Sequence, residues 1–200
     1  MRKMRFLTLV SLISSLIIGC GSQNGAIVIQ AEDAPEGAVL TAYEDMPGMV
    51  RAQVFTGSVV TREGDLLEGK MHGTWVTYDV RGPVTSLTSY LKGKKHGVSI
   101  LVDQNGSITK KENYSNGLLD GELKVYNRRN VTEEKTYVKG NLEGVVKKYY
   151  SNGKLLEEVL WENGQMNGLA KWYDEEGNIS IAYIYENGEL VDENPEIPEY

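Results

Sequence analysis

A glycine motif that returns at an almost constant interval constrains the fold of this chain more than any other feature. The motif is Gly-x-x-x-Gly, and its first glycine recurs in steps of 24, 24, 23, 24 and 24 residues. Self-similarity at a fixed period of this length is the signature of a repeat architecture, in which each repeat is one supersecondary unit. The first glycines are Gly69, Gly93, Gly117, Gly140, Gly164 and Gly188, and the second glycines are Gly73, Gly97, Gly121, Gly144 and Gly168.

Each repeat has the residue pattern of a β-hairpin. It holds two runs of about five to nine residues that contain apolar side chains, which is the length of a strand. The dipeptides Asn116-Gly117, Asn163-Gly164 and Asn187-Gly188 are strong signals for two-residue hairpin turns. The sequence thus predicts an all-β fold, an elongated single-layer antiparallel meander of 23–24-residue hairpins over residues 54–190. In the third repeat, Asn130 stands where the others carry the glycine of their second turn, and we expect it to adopt the left-handed conformation.

Aromatic residues also follow the repeat and form two columns. A single sheet has no second layer, so its side chains must stabilise one another along the strand ladder. We therefore expect the two columns to form the core and the second glycines to mark bulges or bare backbone beside a ring. One column holds Tyr78, Val102, Tyr126, Tyr149 and Tyr173, and the other holds Tyr90, Tyr114, Tyr137, Trp161 and Tyr185.

Four of the aromatic residues that lie off these two columns are candidates for exposed contacts with a partner. They are Trp75, Tyr150, Trp172 and Tyr183. Tyr and Trp present a large apolar ring together with a polar group, which suits a partly solvent-exposed surface. The alternative reading, that such residues only pack within the sheet, remains open at this point.

The junctions between repeats resemble those of the MORN-repeat family in its bacterial variant. The segments that carry the resemblance are YLKGKKHG, YSNGLLDG, YVKGNLEG and WENGQMNG. It covers about residues 54–190, with a degenerate first unit at VFTGSVVTREGDLLEG. The resemblance implies a twisted single-layer sheet that serves as an attachment or scaffold module, and it implies no particular activity.

The first 19 residues have the pattern of a lipoprotein signal peptide. Three basic residues among the first five precede an apolar run over residues 6–18, which is too short to span a bilayer comfortably. Residues 17–20, IIGC, resemble the lipobox of bacterial lipoproteins, which implies cleavage before Cys20 and a palmitate-containing lipid on its thiol. The alternatives are an ordinary signal peptide with an incidental cysteine, or an uncleaved anchor. Gly21 resembles the residue that follows the cysteine in outer-membrane lipoproteins of bacteria with two membranes.

The charge balance excludes some classes of partner. The full chain carries 21 basic and 28 acidic residues, and residues 1–19 hold three of the basic ones, so a chain cleaved there has a net charge of 18 − 28 = −10. We therefore expect no nucleic-acid partner and no electrostatic docking onto anionic lipid. We expect a flexible acidic tether over residues 20–53 and an acidic, proline-containing tail over residues 191–200.

The sequence holds no constellation that points to catalysis or metal binding. His72 and His96 occupy the same slot of adjacent repeats, and residues two strands apart lie roughly 9–10 Å from each other, too far to share one zinc ion. Neighbouring acids such as Glu133 and Glu134 point to opposite faces of a strand, so they make no acid–base pair. We expect no metal and no cofactor.

These observations favour a non-enzymatic, membrane-anchored interaction or scaffold module of the bacterial cell envelope. Its partners would be the membrane, through the N-terminal lipid, and a protein or glycan held by the repeat sheet. Two alternatives stay open. One is an envelope enzyme with a site built from loops, and the other is an antitoxin-like neutralising protein, which would require a cytosolic pool.

Overall fold

The computed structural model describes residues 15–18 and 27–197 of the chain. Every regular element in this part is a β-strand, and it contains no helix long and apolar enough to cross a membrane. Strands β1 (Ser15–Ile18) and β2 (Ile27–Gln30) form a separate antiparallel pair in which Ser15 faces Gln30. Cys20 and the rest of the expected signal peptide lie outside the described residues.

The other sixteen strands form one open antiparallel sheet. Strands that are consecutive in the chain are neighbours in the sheet, except that the two-residue strands β10 and β13 pair only with β9 and β12. The all-β meander of hairpins predicted from the sequence is therefore confirmed. The strands are β3 (Val39–Ala42), β4 (Met49–Thr56), β5 (Val59–Leu67), β6 (Lys70–Tyr78), β7 (Val84–Leu91), β8 (Lys94–Val102), β9 (Ile108–Ser115), β10 (Leu118–Leu119), β11 (Gly121–Asn127), β12 (Asn130–Val138), β13 (Asn141–Leu142), β14 (Gly144–Tyr149), β15 (Leu155–Glu162), β16 (Gln165–Tyr173), β17 (Ile179–Glu186) and β18 (Glu189–Asp192).

The sheet begins earlier in the chain than the sequence analysis placed it. Residues 39–53, expected to be part of a flexible tether, form β3 and most of β4, so the expectation is wrong for them. The physical reason is that Leu40, Val50 and Ala52 bury their side chains against Leu66 and Trp75 in one hydrophobic cluster. At the other end, β18 runs to Asp192, two residues into the expected tail.

The first glycine of each motif belongs to a tight hairpin turn. In six turns both central residues have positive φ, which defines the type I′ turn whose twist matches that of the flanking strands. The first central residue has φ between 50° and 52° in all six. The pairs are Glu68 and Gly69, Lys92 and Gly93, Asn116 and Gly117, Lys139 and Gly140, Asn163 and Gly164, and Asn187 and Gly188.

The irregular turn of the third repeat differs from the expectation. Asn127 and Asn130 pair across the hairpin, and the residue with positive φ is Arg128 at 58°. Asn130 lies in β12 and has no positive φ, so its predicted left-handed conformation is wrong. The loss of one residue shortens this hairpin to two loop residues and moves the left-handed position to the first of them.

The second glycines lie where the register of the sheet shifts. Each has positive φ, and in β5–β6 and β15–β16 the pairing register shifts beside them. Each pairing that is resolved places the second glycine directly opposite an aromatic residue of the following strand. The pairs are Gly73 with Tyr90, Gly121 with Tyr137, Gly144 with Trp161, and Gly168 with Tyr185.

The chain divides into two compact units, residues 1–97 and 98–200. Their buried residues are mostly aliphatic, while the aromatic columns stay half-buried, so the expectation that aromatic residues form the core is only partly met. The buried apolar residues are Leu40, Val50, Ala52, Leu66 and Trp75 in the first unit, and Leu123, Val146, Val159, Ala170 and Ala182 in the second.

Candidate functional site

Trp75 is not a surface contact. Its side chain is only 2% exposed, and its indole Nε1 donates a hydrogen bond to the backbone oxygen of Asp65 at 3.1 Å. The Tyr90 ring meets it edge-on at 6.5 Å, and the Arg62 guanidinium lies 5.1 Å from its ring centre. The prediction that Trp75 is exposed is therefore wrong, because the ring lies flat over Gly64, which has no side chain.

Tyr150 is half-buried and holds two turns together. Its hydroxyl donates to the backbone oxygen of Tyr173 at 2.7 Å, one repeat further along the chain. Its backbone also closes the turn to Lys154. These contacts give Tyr150 a role in joining successive repeats.

Trp172 and Tyr183 are both half-buried and lie together in the second unit. Their rings meet edge-on, with centroids 5.6 Å apart at 61°. Trp172 also pairs across the ladder with Ile181, which is 45% exposed, whereas Ile179 pairs with Tyr173 beyond a register shift and so lies on the other face. We call the three residues Trp172, Ile181 and Tyr183 the aromatic patch.

One edge of the aromatic patch is bounded by charge. In the register of the sheet, Trp172 is followed by Glu157 and then by Lys148 on the same face. The Lys148 ammonium lies 2.9 Å from a Glu157 carboxylate oxygen. An apolar centre beside a polar rim is the usual anatomy of an interface.

A cleft that the sequence analysis missed lies beside the patch. It encloses about 340 Å³ and is lined by residues 179–183 of β17 and by Glu193, Asn194, Pro195 and Ile197 of the tail. The ladder between β17 and β18 ends at the pair Ile184 and Asp192. The tail therefore runs beside β17 without continuing the sheet, and we call the space between them the C-terminal cleft.

The sequence did carry a signal for this cleft. Residues 189–197, ELVDENPEI, stand one period of 24 after residues 165–173, QMNGLAKWY, which form β16. Pro195 stands in the place of Lys171 and Asp192 in the place of Gly168. Proline has no N–H to donate to a ladder, so the last repeat begins its strand and cannot complete it.

The opposite face of the second unit carries a row of charged residues, whose sign alternates from Lys124 onwards. Six residues that are consecutive partners across five strand pairs are all charged. Glu158 sits between two lysines, with its carboxylate oxygens 3.8 Å from each ammonium, and Lys124 lies 3.3 Å from Glu134. We call this row the charge ladder, and its members are Lys111, Lys124, Glu134, Lys147, Glu158 and Lys171.

Tyrosines of the first aromatic column lie beside these charges. The Tyr149 hydroxyl donates to Glu134 at 2.9 Å, and burial together with this carboxylate raises the pKa of Tyr149 to about 12. Tyr78 makes the same bond to Glu63 at 2.9 Å, and that bond raises the pKa of the Tyr78 hydroxyl. The tyrosines thus act as neutral donors that tie one strand pair to the next.

The histidines and paired acids occupy structural positions. His72 pairs across the ladder with Asp65, and its Nδ1 is buried without a hydrogen-bond partner in the described chain. Glu133 pairs with Lys148, whereas Glu134 pairs with Lys147. Among the described residues, no group of three or more His, Cys, Asp or Glu side chains could hold a metal ion.

Two consecutive repeats match a known family. Residues 142–163 and 166–187 match the MORN repeat variant, so the resemblance seen in the sequence is confirmed for these repeats. Such repeats indicate a repeat-based binding module. A comparison with curated proteins finds no match.

Solved structures show only a partial likeness. The crystal structure of S. aureus TarM, a mutant in complex with Fondaparinux, alpha-GlcNAc-glycerol and UDP, has a TM-score of 0.33 and 12% identity, over 48% of this chain and 20% of that chain. A second crystal structure of TarM has a TM-score of 0.33 and 11% identity, over 48% of this chain and 19% of that chain. This chain spans about a fifth of the length of those proteins, and a likeness of this size carries no functional argument.

Proposed function

We propose that this protein is a non-enzymatic interaction module of the bacterial cell envelope. It is anchored to a membrane by a lipid on Cys20, to the outer membrane where the host has one. It binds a protein or glycan partner through the repeat sheet. The match of two repeats to the MORN repeat variant supports the binding role.

The aromatic patch is the observation that carries the proposal. Single exposed apolar residues are normal on a protein surface, but here two rings in contact adjoin the exposed Ile181. Contiguous apolar surface beside polar residues marks interaction sites. Trp and Tyr are also the residues that most often dominate binding energy at interfaces.

A substitution in the patch tests the binding role. We expect Trp172→Ala to abolish most binding to whichever ligand the full chain recognises in a screen of peptidoglycan fragments and cross-linked envelope proteins. The matched control is Leu118→Ala, because Leu118 is 52% exposed but lies in β10, away from the patch. Equal loss in both variants, or turnover of a substrate in the screen, would contradict the proposal.

The anchor has its own test. We expect Cys20→Ser to move the protein from the membrane fraction to the soluble fraction, or to leave it with an unprocessed signal peptide. Metabolic labelling with palmitate should mark the parent chain and not the variant. A processed Ser variant that still fractionates with membranes would show that the anchor lies elsewhere.

A further inference from the structure

Half of β17 has an open backbone edge. On one side, Ile179–Tyr183 pairs with β16, with one register shift that skips Ser180. On the other side, β18 pairs only with residues 184–186, so in the described part of the chain no strand occupies the edge of residues 179–183. At about 3.4 Å per residue, these five positions offer roughly 17 Å of edge.

The repeat itself defines what is missing there. In the preceding repeat, Ala170, Lys171 and Trp172 pair with the equivalent part of β15. One period later the chain has Asn194, Pro195 and Glu196. Asn194 and Pro195 line the C-terminal cleft, and none of the three pairs with β17. The open edge therefore has the shape of one absent strand, antiparallel to β17.

The backbone groups along this edge give it a strong tendency to accept another strand. An unpaired row of N–H and C=O groups is a template for β-augmentation, in which an extended peptide adds main-chain hydrogen bonds. The edge also presents apolar side chains to one face, because Ile181 and Tyr183 belong to the aromatic patch. The C-terminal cleft of about 340 Å³ is open to solvent along this edge.

The charge around the edge selects the occupant. Residues 184–200, which form the end of β17, β18 and the tail, contain six acidic residues and no lysine or arginine. A second copy bringing the same edge would meet like charges on both sides, whereas a cationic segment would meet complementary charge. Glu186, Glu189 and Asp192 lie in the two strands that border the opening.

We propose that the open edge of β17 takes an extended, positively charged segment of a partner protein as an added antiparallel strand. The proposal rests on the binding function proposed above and names the chemistry of the partner. The added strand occupies the C-terminal cleft, pairs its backbone with residues 179–183 and places apolar side chains against Ile181 and Tyr183. Its basic side chains lie near the acids of β18 and the tail.

The first experiment uses three short synthetic peptides with the purified full chain in detergent. An alternating Lys-Val peptide should bind and should slow amide hydrogen exchange at Ile179–Tyr183. An alternating Glu-Val peptide and an alternating Lys-Pro peptide should each bind at least about tenfold more weakly, the first for its charge and the second for its missing N–H groups.

The second experiment fills the edge with the chain's own tail. The triple variant Asn194→Ala, Pro195→Lys, Glu196→Trp copies the residues of the preceding repeat, so the tail should pair with β17 and exclude the Lys-Val peptide. Its net charge rises by two. The matched control is Glu175→Gln, Glu176→Gln, which raises the charge equally in the turn before β17 and should keep most of the binding.

The outcomes separate this inference from the proposed function. Lys-Pro binding equal to Lys-Val binding, or full binding to the filled-edge variant, would show charge attraction alone and overturn the added strand. Self-association of the parent chain that the filled-edge variant abolishes would identify a second copy as the occupant and also overturn it. Failure of all peptides to bind, with Trp172-dependent binding of an envelope ligand intact, would overturn only the added strand.

Discussion

Trp75 can lie flat against the sheet because residue 64 is a glycine. A Cβ on Gly64 would lie 2.3 Å from the nearest ring carbon of Trp75, far inside van der Waals contact. Gly64 has no positive φ, so the requirement is steric. Because the ring is also held by its hydrogen bond to Asp65, it cannot move away without losing that bond.

We expect Gly64→Ala to lower the free energy of unfolding by about 1–3 kcal/mol, since it overpacks a buried site. Trp75→Ala should cost about 3–5 kcal/mol through the cavity it leaves. In the Trp75→Ala background, Gly64→Ala should be nearly neutral, because the clash has gone. Urea unfolding of the four proteins closes this double-mutant cycle, and additive losses would contradict the packing described.

Tyr149 makes stability depend on alkaline pH. Its folded-state pKa of about 12 lies above its usual 10.0 because of burial and the bond to Glu134. A group whose pKa is raised by folding stabilises the fold fully below the unfolded value, and this contribution is lost as pH rises towards the folded value. We therefore expect the free energy of unfolding of Tyr149→Phe to fall less steeply with pH than that of the parent between pH 10 and about 12. Parallel urea titrations at pH 9 and 11 check this, and an unchanged pH slope would refute it.

The burial of Trp75 follows from its position in the repeat. Trp75 belongs to a third column with the same period, and all five of its members are buried: Trp75, Ser99, Leu123, Val146 and Ala170. The chemistry of this column changes from repeat to repeat, so a search for recurring residue types overlooked it. Burial follows the position in the repeat and not the identity of the side chain.

At the scale of the turn, the identity of the first left-handed residue varies among the repeats. Three type I′ turns begin with asparagine, which tolerates positive φ well, and three begin with glutamate or lysine, which do not. We expect Lys92→Asn to raise stability by about 0.5–1 kcal/mol, because Lys92 is exposed and strained at φ 51°. Asn116→Lys is the reciprocal control and should lower stability by a similar amount. Thermal unfolding of both variants tests the pair, and shifts of the same sign would contradict it.

At the scale of the strand pair, the charge ladder should respond to reversal of its central residue. Glu158→Lys would place three lysines in a row across β14, β15 and β16. Half-exposed ion pairs are individually weak, so we expect a loss of about 1–2 kcal/mol for the two attractions and the new repulsion. Changing Lys171 to Glu in the same chain should restore part of the loss, because it re-forms one of the two pairs and leaves Lys147 opposite Glu134. A loss that is insensitive to 1 M salt would argue for a packing effect instead.

The sequence predicted the hairpins better than it predicted the contacts and the register between strands. The Asn-Gly dipeptides and the 24-residue spacing identified the hairpins, because both are local signals. The strands β3 and β4 were missed, since their first residues lie outside the glycine period and are stabilised by contacts with Leu66 and Trp75 further along the chain. The charge ladder was missed for a related reason, because it depends on register between strands.

For the molecule as a whole, the order of strands leaves two edges. One edge is β3, and the other is β18 with the unpaired half of β17. Unpaired strands invite association with identical edges, and proteins commonly oppose it with charge and proline. The tail of this chain carries both, with Pro195 in the C-terminal cleft and acids on either side of it.

We expect deletion of residues 193–200 to produce oligomers that grow with protein concentration. The deletion removes the tail that lies beside the open edge of Ile179–Tyr183, and with it three of the nine acids in residues 174–200. Thermal unfolding at low concentration should change little, because β18 ends at Asp192 and the tail adds no strand to the sheet. Sedimentation velocity over a range of concentrations, with the full chain alongside, measures the effect.

The charge and the bulk of the tail can be separated by a variant that keeps its length. Glu193→Gln, Glu196→Gln, Glu199→Gln removes the same three charges while Pro195 and Ile197 still line the cleft. If repulsion alone keeps copies apart, this variant should associate as strongly as the deletion. If the tail also blocks the edge physically, the triple Gln variant should associate less than the deletion. A deletion variant that stays monomeric across the micromolar range would refute the protective role and leave the tail as a segment for partner recognition.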